Sequence, residues 1–232
     1  MLLKAAWMLR AAANTLEARG AQALFRDAPV DVESAYDFVA EFSYGEISPS
    51  PAQIRQEMMA LLLRLADQPP GVILEIGTFR GGTLFLFTRV AAPDATLVTV
   101  DMESGPFGGG YPRAWAPLLR SFARERQRVH LVRGDSHAAS TLARVRSLLN
   151  EPIDFLFIDG DHTYEGVRAD FQTYAPLVCA GGMIALHDIV DGRPDIVGGV
   201  PRFWREIRRR YETEELVADR NRDGYGIGLV RK

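Results

Sequence analysis

From Gly71 onward the sequence alternates short apolar runs with longer amphipathic stretches, and this alternation limits the possible folds more than any other feature. The apolar runs are rich in Val, Ile and Leu, as buried strands are, and they lie at 72–76, 96–100, 129–132, 153–158 and 183–186. The amphipathic stretches fit helices at 81–92, 114–126, 137–149, 164–178 and 200–211. Strands that alternate with helices predict a parallel sheet with helices on both of its faces.

The two ends of the chain depart from this alternation. Helix-forming compositions at 1–24 and 31–42, and one apolar helical face at 52–67, predict extra helices before the sheet. Near the other end, 213–218 and 227–230 flank a turn-like segment, which predicts an antiparallel hairpin. The sheet is therefore expected to be mixed and seven-stranded.

The first 70 residues have helical composition and the alternation begins only at Gly71, which indicates a helical extension ahead of the sheet. We expect an N-terminal helical extension over residues 1–50 and one α/β domain over residues 51–232.

Composition narrows the class of partner. The chain has 232 residues, 47% of them hydrophobic, and a net charge of −3, so nothing in its overall charge indicates a nucleic acid or an anionic membrane. A basic stretch at 205–210 is balanced by acidic residues at 212–215, which favours a solvated face over an RNA-binding one. A single cysteine, Cys179, excludes an intramolecular disulfide and a cysteine-rich zinc site.

The start of the chain carries no targeting pattern. Between Lys4 and Arg10 lie five uncharged residues, too few for the apolar region of a signal peptide. No stretch reaches the roughly 20 apolar residues of a membrane span. We expect a cytoplasmic protein.

The end of the first predicted strand leads into a glycine-containing turn. Glu75 lies on the strand, and Gly77, Thr78 and Gly81 form the turn. Phe79 occupies the second glycine of a G-x-G-x-x-G dinucleotide fingerprint, so that motif is missing. An acid before the turn would repel a pyrophosphate but suits an ammonium or sulfonium group. The alternative is a tight turn with a solvated Glu75.

The second and third strand ends also carry acids. Asp101 lies 24 residues after Gly77, where an acid accepts hydrogen bonds from ribose hydroxyls, as it does in NAD enzymes. Gly134 precedes Asp135 and Ser136, which could meet an adenine edge or could cap the following helix. Acids at three successive strand ends favour a nucleoside site.

The fourth and fifth strand ends concentrate titratable groups. The fourth leads into Asp159 and His162, and the fifth into His187 and Asp188. Carboxyl ends of neighbouring parallel strands meet at one edge of a sheet, so these side chains are expected to lie close together. The alternative is a structural or helix-start role for the two histidines.

These motifs together resemble class I methyltransferases that depend on S-adenosylmethionine (SAM). More narrowly, residues 51–230 resemble the branch of macrocin-type sugar O-methyltransferases and cephalosporin hydroxylase-like proteins. The resemblance implies a Rossmann-like class I methyltransferase fold, with Glu75 and Gly77 near the methionine part of SAM. It implies the following cofactor-binding residues: Glu75, Gly77, Thr78, Gly81, Asp101, Met102, Gly134, Asp135, Ser136 and Asp159.

The expected reaction transfers a methyl group from SAM to a hydroxyl of a small molecule or sugar. A hydroxyl is a poor nucleophile near neutral pH, so it needs a positioned base or a metal ion. We expect His162 to be the base, with Asp159 as a second catalytic residue. Asp159, His187 and Asp188 are the expected ligands of a divalent cation such as magnesium or manganese.

The identity of the metal and the function itself both have alternatives. The family more often has a carboxylate where this chain has His187, and magnesium prefers oxygen ligands, whereas manganese, iron and zinc accept imidazole. The alternative functions are an NAD(P)-dependent oxidoreductase and a non-catalytic nucleoside-binding module.

Three segments are expected to surround the site. Residues 102–113, with Phe107 and Tyr111, resemble a mobile lid. Residues 194–199 are expected to face the acceptor, and residues 44–53 to close the pocket from the N-terminal side.

The N-terminal helices carry more apolar residues than one helical face can hold, Trp7 among them. This excess predicts a homodimer through the N-terminal helices.

Overall fold

The computed structural model describes residues 2–105, 107 and 109–232, with side chains from residue 12 onward. Three helices precede the sheet: α1 (Leu2–Phe25), α2 (Val32–Glu41) and α3 (Arg55–Asp67). The strands are β1 (Val72–Ile76), β2 (Thr96–Asp101), β3 (Arg128–Arg133), β4 (Ile153–Ile158), β5 (Val178–His187), β6 (Thr213–Leu216) and β7 (Ile227–Arg231). The remaining helices are α4 (Gly82–Val90), α5 (Ala116–Arg120), α6 (Ala139–Leu148), α7 (Tyr164–Tyr174), α8 (Pro194–Val197) and α9 (Val200–Ile207).

All seven strands form one mixed sheet in the order β3-β2-β1-β4-β5-β7-β6. Strands β1 to β5 pair in parallel, while β7 is antiparallel to both β5 and β6. The strand order reverses between β1 and β4, which is where ligands bind in open α/β sheets. The predictions of a mixed seven-stranded sheet and of an antiparallel hairpin at its end are therefore confirmed.

The sheet separates two hydrophobic cores, as the apolar strands predict. Helices α1 to α5 contribute to the core on one face, and α6, α7 and α9 contribute to the core on the other. The ring of Phe25 in α1 lies 5.2 Å from that of Phe85 in α4 and 4.6 Å from that of Phe122. The N-terminal helices thus share a core with the sheet, and a domain boundary at residue 50 stays a prediction.

The predicted dimer contact involves side chains that are only partly described. The side chain of Trp7 lies outside the described residues. Leu16 and Leu24 of α1 are exposed. The homodimer stays a prediction.

The predicted helix over 114–126 is wrong in its second half. A 3-10 turn at Arg113–Trp115 leads into α5, which ends at Arg120. The segment that follows is held by side chains instead of a helix, because Gln127 accepts from Arg124 N at 3.0 Å and donates to Thr88 O at 2.9 Å. Glu125 also has a φ of 47°, which no α-helix accommodates.

Two other predicted boundaries shift for local reasons. Helix α7 ends at Tyr174 and not at residue 178, because Pro176 lacks the N–H that a helix interior needs. Strand β5 begins at Val178 instead of residue 183, since Gly181, with a φ of 83°, lets the chain turn and continue pairing.

Among the described residues, the helices are too short or too polar to cross a membrane.

Candidate active site

A cavity of about 390 Å³ opens at the carboxyl ends of the parallel strands. Its wall includes residues that follow β1, β2, β3, β4 and β5, together with the N-terminal segment from Ser50 to Gln53. This cavity lies where the sequence predicts the site, at the edge of the sheet where the strand order reverses.

The turn after β1 depends on glycine at two positions. Gly77 has a φ of 97°, and a Cβ on it would overlap the carbonyl oxygen of Asp159. Gly81 has a φ of 88° and precedes the first turn of α4. Only glycine adopts these conformations without strain, so the β1 and β4 ends can approach each other closely.

Glu75 lies behind this turn and does not line the cavity. It is 1% exposed, and its carboxyl group accepts hydrogen bonds from the hydroxyls of Thr83 and Thr99, the second at 2.6 Å. Burial raises the pKa of Glu75 to about 8, so the group is largely protonated at neutral pH. The alternative of a solvated Glu75 is wrong, and its expected contact with SAM stays a prediction.

Asp101 lies in the wall at the end of β2. Its Oδ2 accepts a hydrogen bond from Phe79 N at 2.5 Å. Burial raises the pKa of Asp101, although the backbone N–H of Phe79 and the charge of Arg133 oppose this. Phe79 itself has a φ of 47°, unusual for a residue other than glycine.

The β3 end contributes Asp135, Ser136 and His137 to the wall. Asp135 is exposed and accepts from His137 N at 2.9 Å, a local turn ahead of α6. The carbonyl of Ser136 accepts from the hydroxyl of Tyr174 at 2.7 Å. This end is therefore anchored on α7 through backbone contacts, while the Asp135 side chain stays accessible.

Behind His137 lies a carboxylate that the sequence analysis did not single out. Asp170 of α7 is fully buried, and its Oδ1 is 3.3 Å from His137 Nε2. The close approach of the Asp170 carboxylate is the largest influence on His137 and raises its pKa to about 9. The wall next to the predicted adenine position thus carries a protonated imidazole at neutral pH.

The β4 and β5 ends bring four predicted residues into mutual contact, a group we call the His–Asp cluster: Asp159, His162, His187 and Asp188. Asp159 Oδ1 is 3.3 Å from His162 Nε2 and 3.2 Å from His187 Nδ1. Asp188 Oδ2 is 3.3 Å from His162 Nδ1 and 3.5 Å from His187 Nδ1. Each carboxylate thus faces both imidazoles.

The cluster favours charged forms of its members. Burial alone would lower the pKa of His162, but the hydrogen bond and charge of Asp159 outweigh it and raise that pKa to about 9. Burial likewise opposes the two carboxylates at His187, whose pKa is raised well above its usual value. The pKa of Asp159 is lowered, because His187 and His162 outweigh the effect of its burial. At neutral pH both imidazoles are therefore protonated.

His162 is fixed from several sides. Its Nδ1 is 2.6 Å from the carbonyl oxygen of Ile196, and its own carbonyl accepts from Gly199 N at 2.7 Å. The ring of Phe107 stacks on its imidazole with 5.0 Å between centroids. The segment around α8 and the predicted lid residue Phe107 therefore both contact the proposed base.

Asp188 is held in a strained conformation. Its φ is 61°, a value that costs a residue other than glycine roughly 1–3 kcal/mol. Its Oδ1 accepts from Tyr225 N at 3.1 Å, while its Oδ2 faces the two imidazoles. The conformation turns the carboxylate of Asp188 towards the cavity.

Gln53 is a site residue that the sequence analysis placed in a pocket-closing segment but did not identify. Its Nε2 donates to Asp159 Oδ2 at 2.6 Å. The two residues are 106 positions apart, and no local pattern marks Gln53. The contact depends on the packing of residues 49–51 against the start of α4, where Gly82 has no side chain to obstruct it.

The cluster also contains atoms suitable for a cation. Ligating atoms of Asp159, His162 and Asp188 all lie within 4.8 Å of one another. The predicted set was Asp159, His187 and Asp188, whereas the group in the structure has His162 in place of His187. One nitrogen with two carboxylates suits manganese, iron or zinc better than magnesium.

Comparisons with known proteins identify the family of the chain. A family model described as a methyltransferase domain matches residues 74–189, from β1 to just beyond β5. The uncharacterized protein R132 of Acanthamoeba polyphaga mimivirus is 28% identical over 148 residues, which are 58% of this chain. The match spans 60% of R132, less than two thirds of its length.

Solved structures share the fold. An O-methyltransferase from Bacillus cereus, in complex with S-adenosylhomocysteine (SAH), is similar with a TM-score of 0.58 and 24% identity, over 78% of this chain and 84% of that one. The O-methyltransferase TomG from Streptomyces achromogenes, in complex with SAM, is similar with a TM-score of 0.56 and 21% identity, over 87% of this chain and 90% of that one.

Proposed function

Because this chain belongs to the methyltransferase domain family, we propose that it transfers the methyl group of SAM to a hydroxyl of a small molecule or sugar. Its fold is that of class I SAM-dependent methyltransferases. The observation that carries the proposal is the His–Asp cluster, which lies on the wall of the same cavity as Asp101 and Asp135. The cavity thus has a side suited to a nucleoside and a side suited to proton removal.

The proposed cofactor lies along the ends of β1, β2 and β3. A cavity of about 390 Å³ falls in the usual range for small-ligand sites. Asp101 would accept hydrogen bonds from the ribose, and Asp135 with Ser136 would face the adenine. Gly77 would lie beside the methionine part, since its missing side chain lets the β1 and β4 ends approach each other there.

Proton removal is assigned to His162. In its neutral form the imidazole would accept the hydroxyl proton, and Asp159 would orient the ring and stabilise the resulting charge. The raised pKa of His162 means that the neutral form is scarce at pH 7. We therefore expect methyl transfer by the cation-free protein to rise with pH up to about 9.

The donor set of Asp159, His162 and Asp188 also fits a divalent cation. Such a cation, when bound, supplies positive charge that lowers the pKa of the acceptor hydroxyl. His162 would then serve as a ligand. The protein's own contribution in either case is a pair of carboxylates that hold two imidazoles in fixed positions.

The macrocin-type branch is our proposal for the subfamily. It is supported by a histidine three residues after the β4 aspartate, as in that branch, here His162 after Asp159. This branch more often has a carboxylate where this chain has His187. The nitrogen ligand in the proposal is His162, which favours manganese, iron or zinc over magnesium.

Calorimetry with SAH and NAD in parallel tests the cofactor assignment. We expect SAH to bind and NAD not to bind, and Asp101→Asn to weaken SAH binding by about tenfold or more, the usual effect of losing a charged hydrogen-bond acceptor. Binding of NAD alone would establish the oxidoreductase alternative.

Transfer of a tritiated methyl group to a panel of hydroxyl compounds tests the reaction. Binding of SAH without transfer to any acceptor would favour the non-catalytic module.

Removal of metals with EDTA tests whether the reaction needs a cation. We expect manganese to restore the rate better than magnesium, and an unchanged rate after EDTA would remove the cation from the proposal.

A further inference from the structure

Two buried polar atoms in the cavity wall have no hydrogen-bond partner among the described residues: Gln53 Oε1 and His187 Nε2. Gln53 is 6% exposed and His187 is 5% exposed. The other buried side-chain atoms without a partner belong to residues outside this wall. Buried polar groups are normally hydrogen-bonded, so two unpaired ones in a cavity indicate a polar ligand.

The orientation of the Gln53 amide is set by its neighbours. A carboxylate only accepts hydrogen bonds, so the amide nitrogen must face Asp159 Oδ2, which lies 2.6 Å away. The amide oxygen then points away from Asp159. The backbone of Gln53 is held as well, since its carbonyl accepts from the hydroxyl of Tyr36 at 3.4 Å.

His187 is arranged in the same way. Its Nδ1 faces Asp159 Oδ1 at 3.2 Å, which leaves Nε2 on the far side of the ring. Both free atoms therefore belong to side chains that are anchored on one carboxylate, that of Asp159. Their positions are fixed relative to the proposed site of methyl transfer.

We infer that Gln53 Oε1 and His187 Nε2 form a recognition subsite for hydroxyl groups of the acceptor other than the one that is methylated. An amide oxygen requires a donor, whereas the protonated ring of His187 offers a donor at Nε2, so hydroxyl groups, which both donate and accept, satisfy both atoms. The acceptor is then a polyol or a polyhydroxylated ring and not a simple alcohol. This inference rests on the proposed function.

Matched probes test the subsite on full-length protein saturated with SAH. The pairs are myo-inositol with cyclohexanol and catechol with phenol, and binding is measured by calorimetry and saturation-transfer NMR. We expect the polyhydroxylated member of at least one pair to bind about tenfold more tightly than its partner, the usual effect of leaving a buried polar group unpaired.

Two variants separate recognition from positioning. Gln53→Leu removes the oxygen and the contact to Asp159, whereas Gln53→Lys keeps a donor towards Asp159 and lacks an acceptor. We expect both to lose the preference within each pair, and the exposed Gln56→Leu, three positions along the chain, to keep it.

The inference is overturned if no polyhydroxylated probe binds, if wild-type protein shows no preference, or if Gln53→Lys retains it. It is also overturned if both Gln53 variants weaken SAH binding more than about threefold, because the oxygen would then face the cofactor. Failure of wild-type protein to bind SAH would instead reject the proposed function itself.

Discussion

The two sides of the cavity rim use the same kind of residue in different ways. On the side formed by β1 to β3, which we call the cofactor rim, the acids Glu75, Asp101 and Asp135 have separate hydrogen-bond partners. Glu75 is buried against two threonines, Asp101 binds the backbone of Phe79, and Asp135 is exposed. On the side formed by β4 and β5, the acceptor rim, the His–Asp cluster is one connected network.

The difference shows that an acid at a strand end has no fixed role. An isolated buried carboxylic acid stays neutral, as Glu75 does, because desolvation disfavours its charge. Asp159, which is partly buried, stays ionised because two imidazoles surround it. Imidazoles near the acid, more than the position of the acid in the fold, decide its charge.

Asp159→Asn should have the largest effect, because it breaks the acceptor rim at its centre. The amide cannot balance two imidazolium charges, so we expect a loss of methyl transfer of roughly 10³-fold or more. The measurement is the tritiated-methyl assay, with SAH binding measured in parallel. As a control, the exposed Asp191→Asn, which loses only a surface ion pair with Arg205, should retain wild-type turnover. An Asp159→Asn variant that stays within tenfold of wild type would contradict the central role of this carboxylate.

His162→Ala tests the same rim with a smaller expected effect. Loss of a general base typically costs 10²-fold or more in rate, and we expect a loss of about that size with SAH binding nearly intact. The control is His130→Ala, which changes a half-buried histidine of β3 outside the cavity. If turnover is unchanged, His162 has no part in the mechanism.

The sequence predicts the strands better than it predicts the contacts between their ends. Strands β1 and β4 have the predicted limits, because runs such as 72–76 and 153–158 are apolar throughout and bounded by turns. The cluster was also predictable, since adjacent parallel strands end at one edge. The contact of Gln53 with Asp159 was not, because it depends on how a segment 106 residues away packs against α4.

Local pattern also fails to show which way an acid faces. The sequence places Glu75 before the glycine turn, but it does not show that Thr83 and Thr99 lie next to the side chain. Asp170 is a similar case, since its position within α7 gives no sign that it meets His137. Such contacts arise only when helices pack on the sheet.

Glu75→Gln tests the cofactor rim through stability. The folded-state pKa of Glu75 is raised from 4.5 to about 8, so the folded protein holds a proton that the unfolded chain releases in this window. Stability is therefore fully present below about pH 4.5 and is lost as the pH rises through 8, by up to about 1.4 kcal/mol per pH unit. We expect Glu75→Gln, which carries no titratable group, to reduce this loss.

Urea unfolding at a series of pH values from 5 to 9 measures the effect. The exposed Glu33→Gln at the start of α2 is the control and should keep the wild-type dependence. Equal slopes for wild type and Glu75→Gln would mean that Glu75 is ionised when folded. The contrast with Asp159 would then be lost.

Asp170→Asn should have the smallest effect, a change in one pKa on the cofactor rim. The carboxylate of Asp170, 3.3 Å from Nε2, holds the pKa of His137 at about 9, against the effect of burial. With asparagine there, we expect this pKa to fall towards the usual value near 6.5, as followed by the ring proton signals of His137 in NMR. The stability contributed by the pair of His137 and Asp170 in wild type is present below about pH 6.5 and is lost as the pH rises through 9, so the variant should lack that dependence.

Asp135→Asn is the matched control. It should lower the pKa of His137 less, because Asp135 is exposed and only its charge acts on the ring. Equal shifts in the two variants would show that a buried carboxylate behind the wall has no special influence, and the rims would then differ only in the number of their imidazoles.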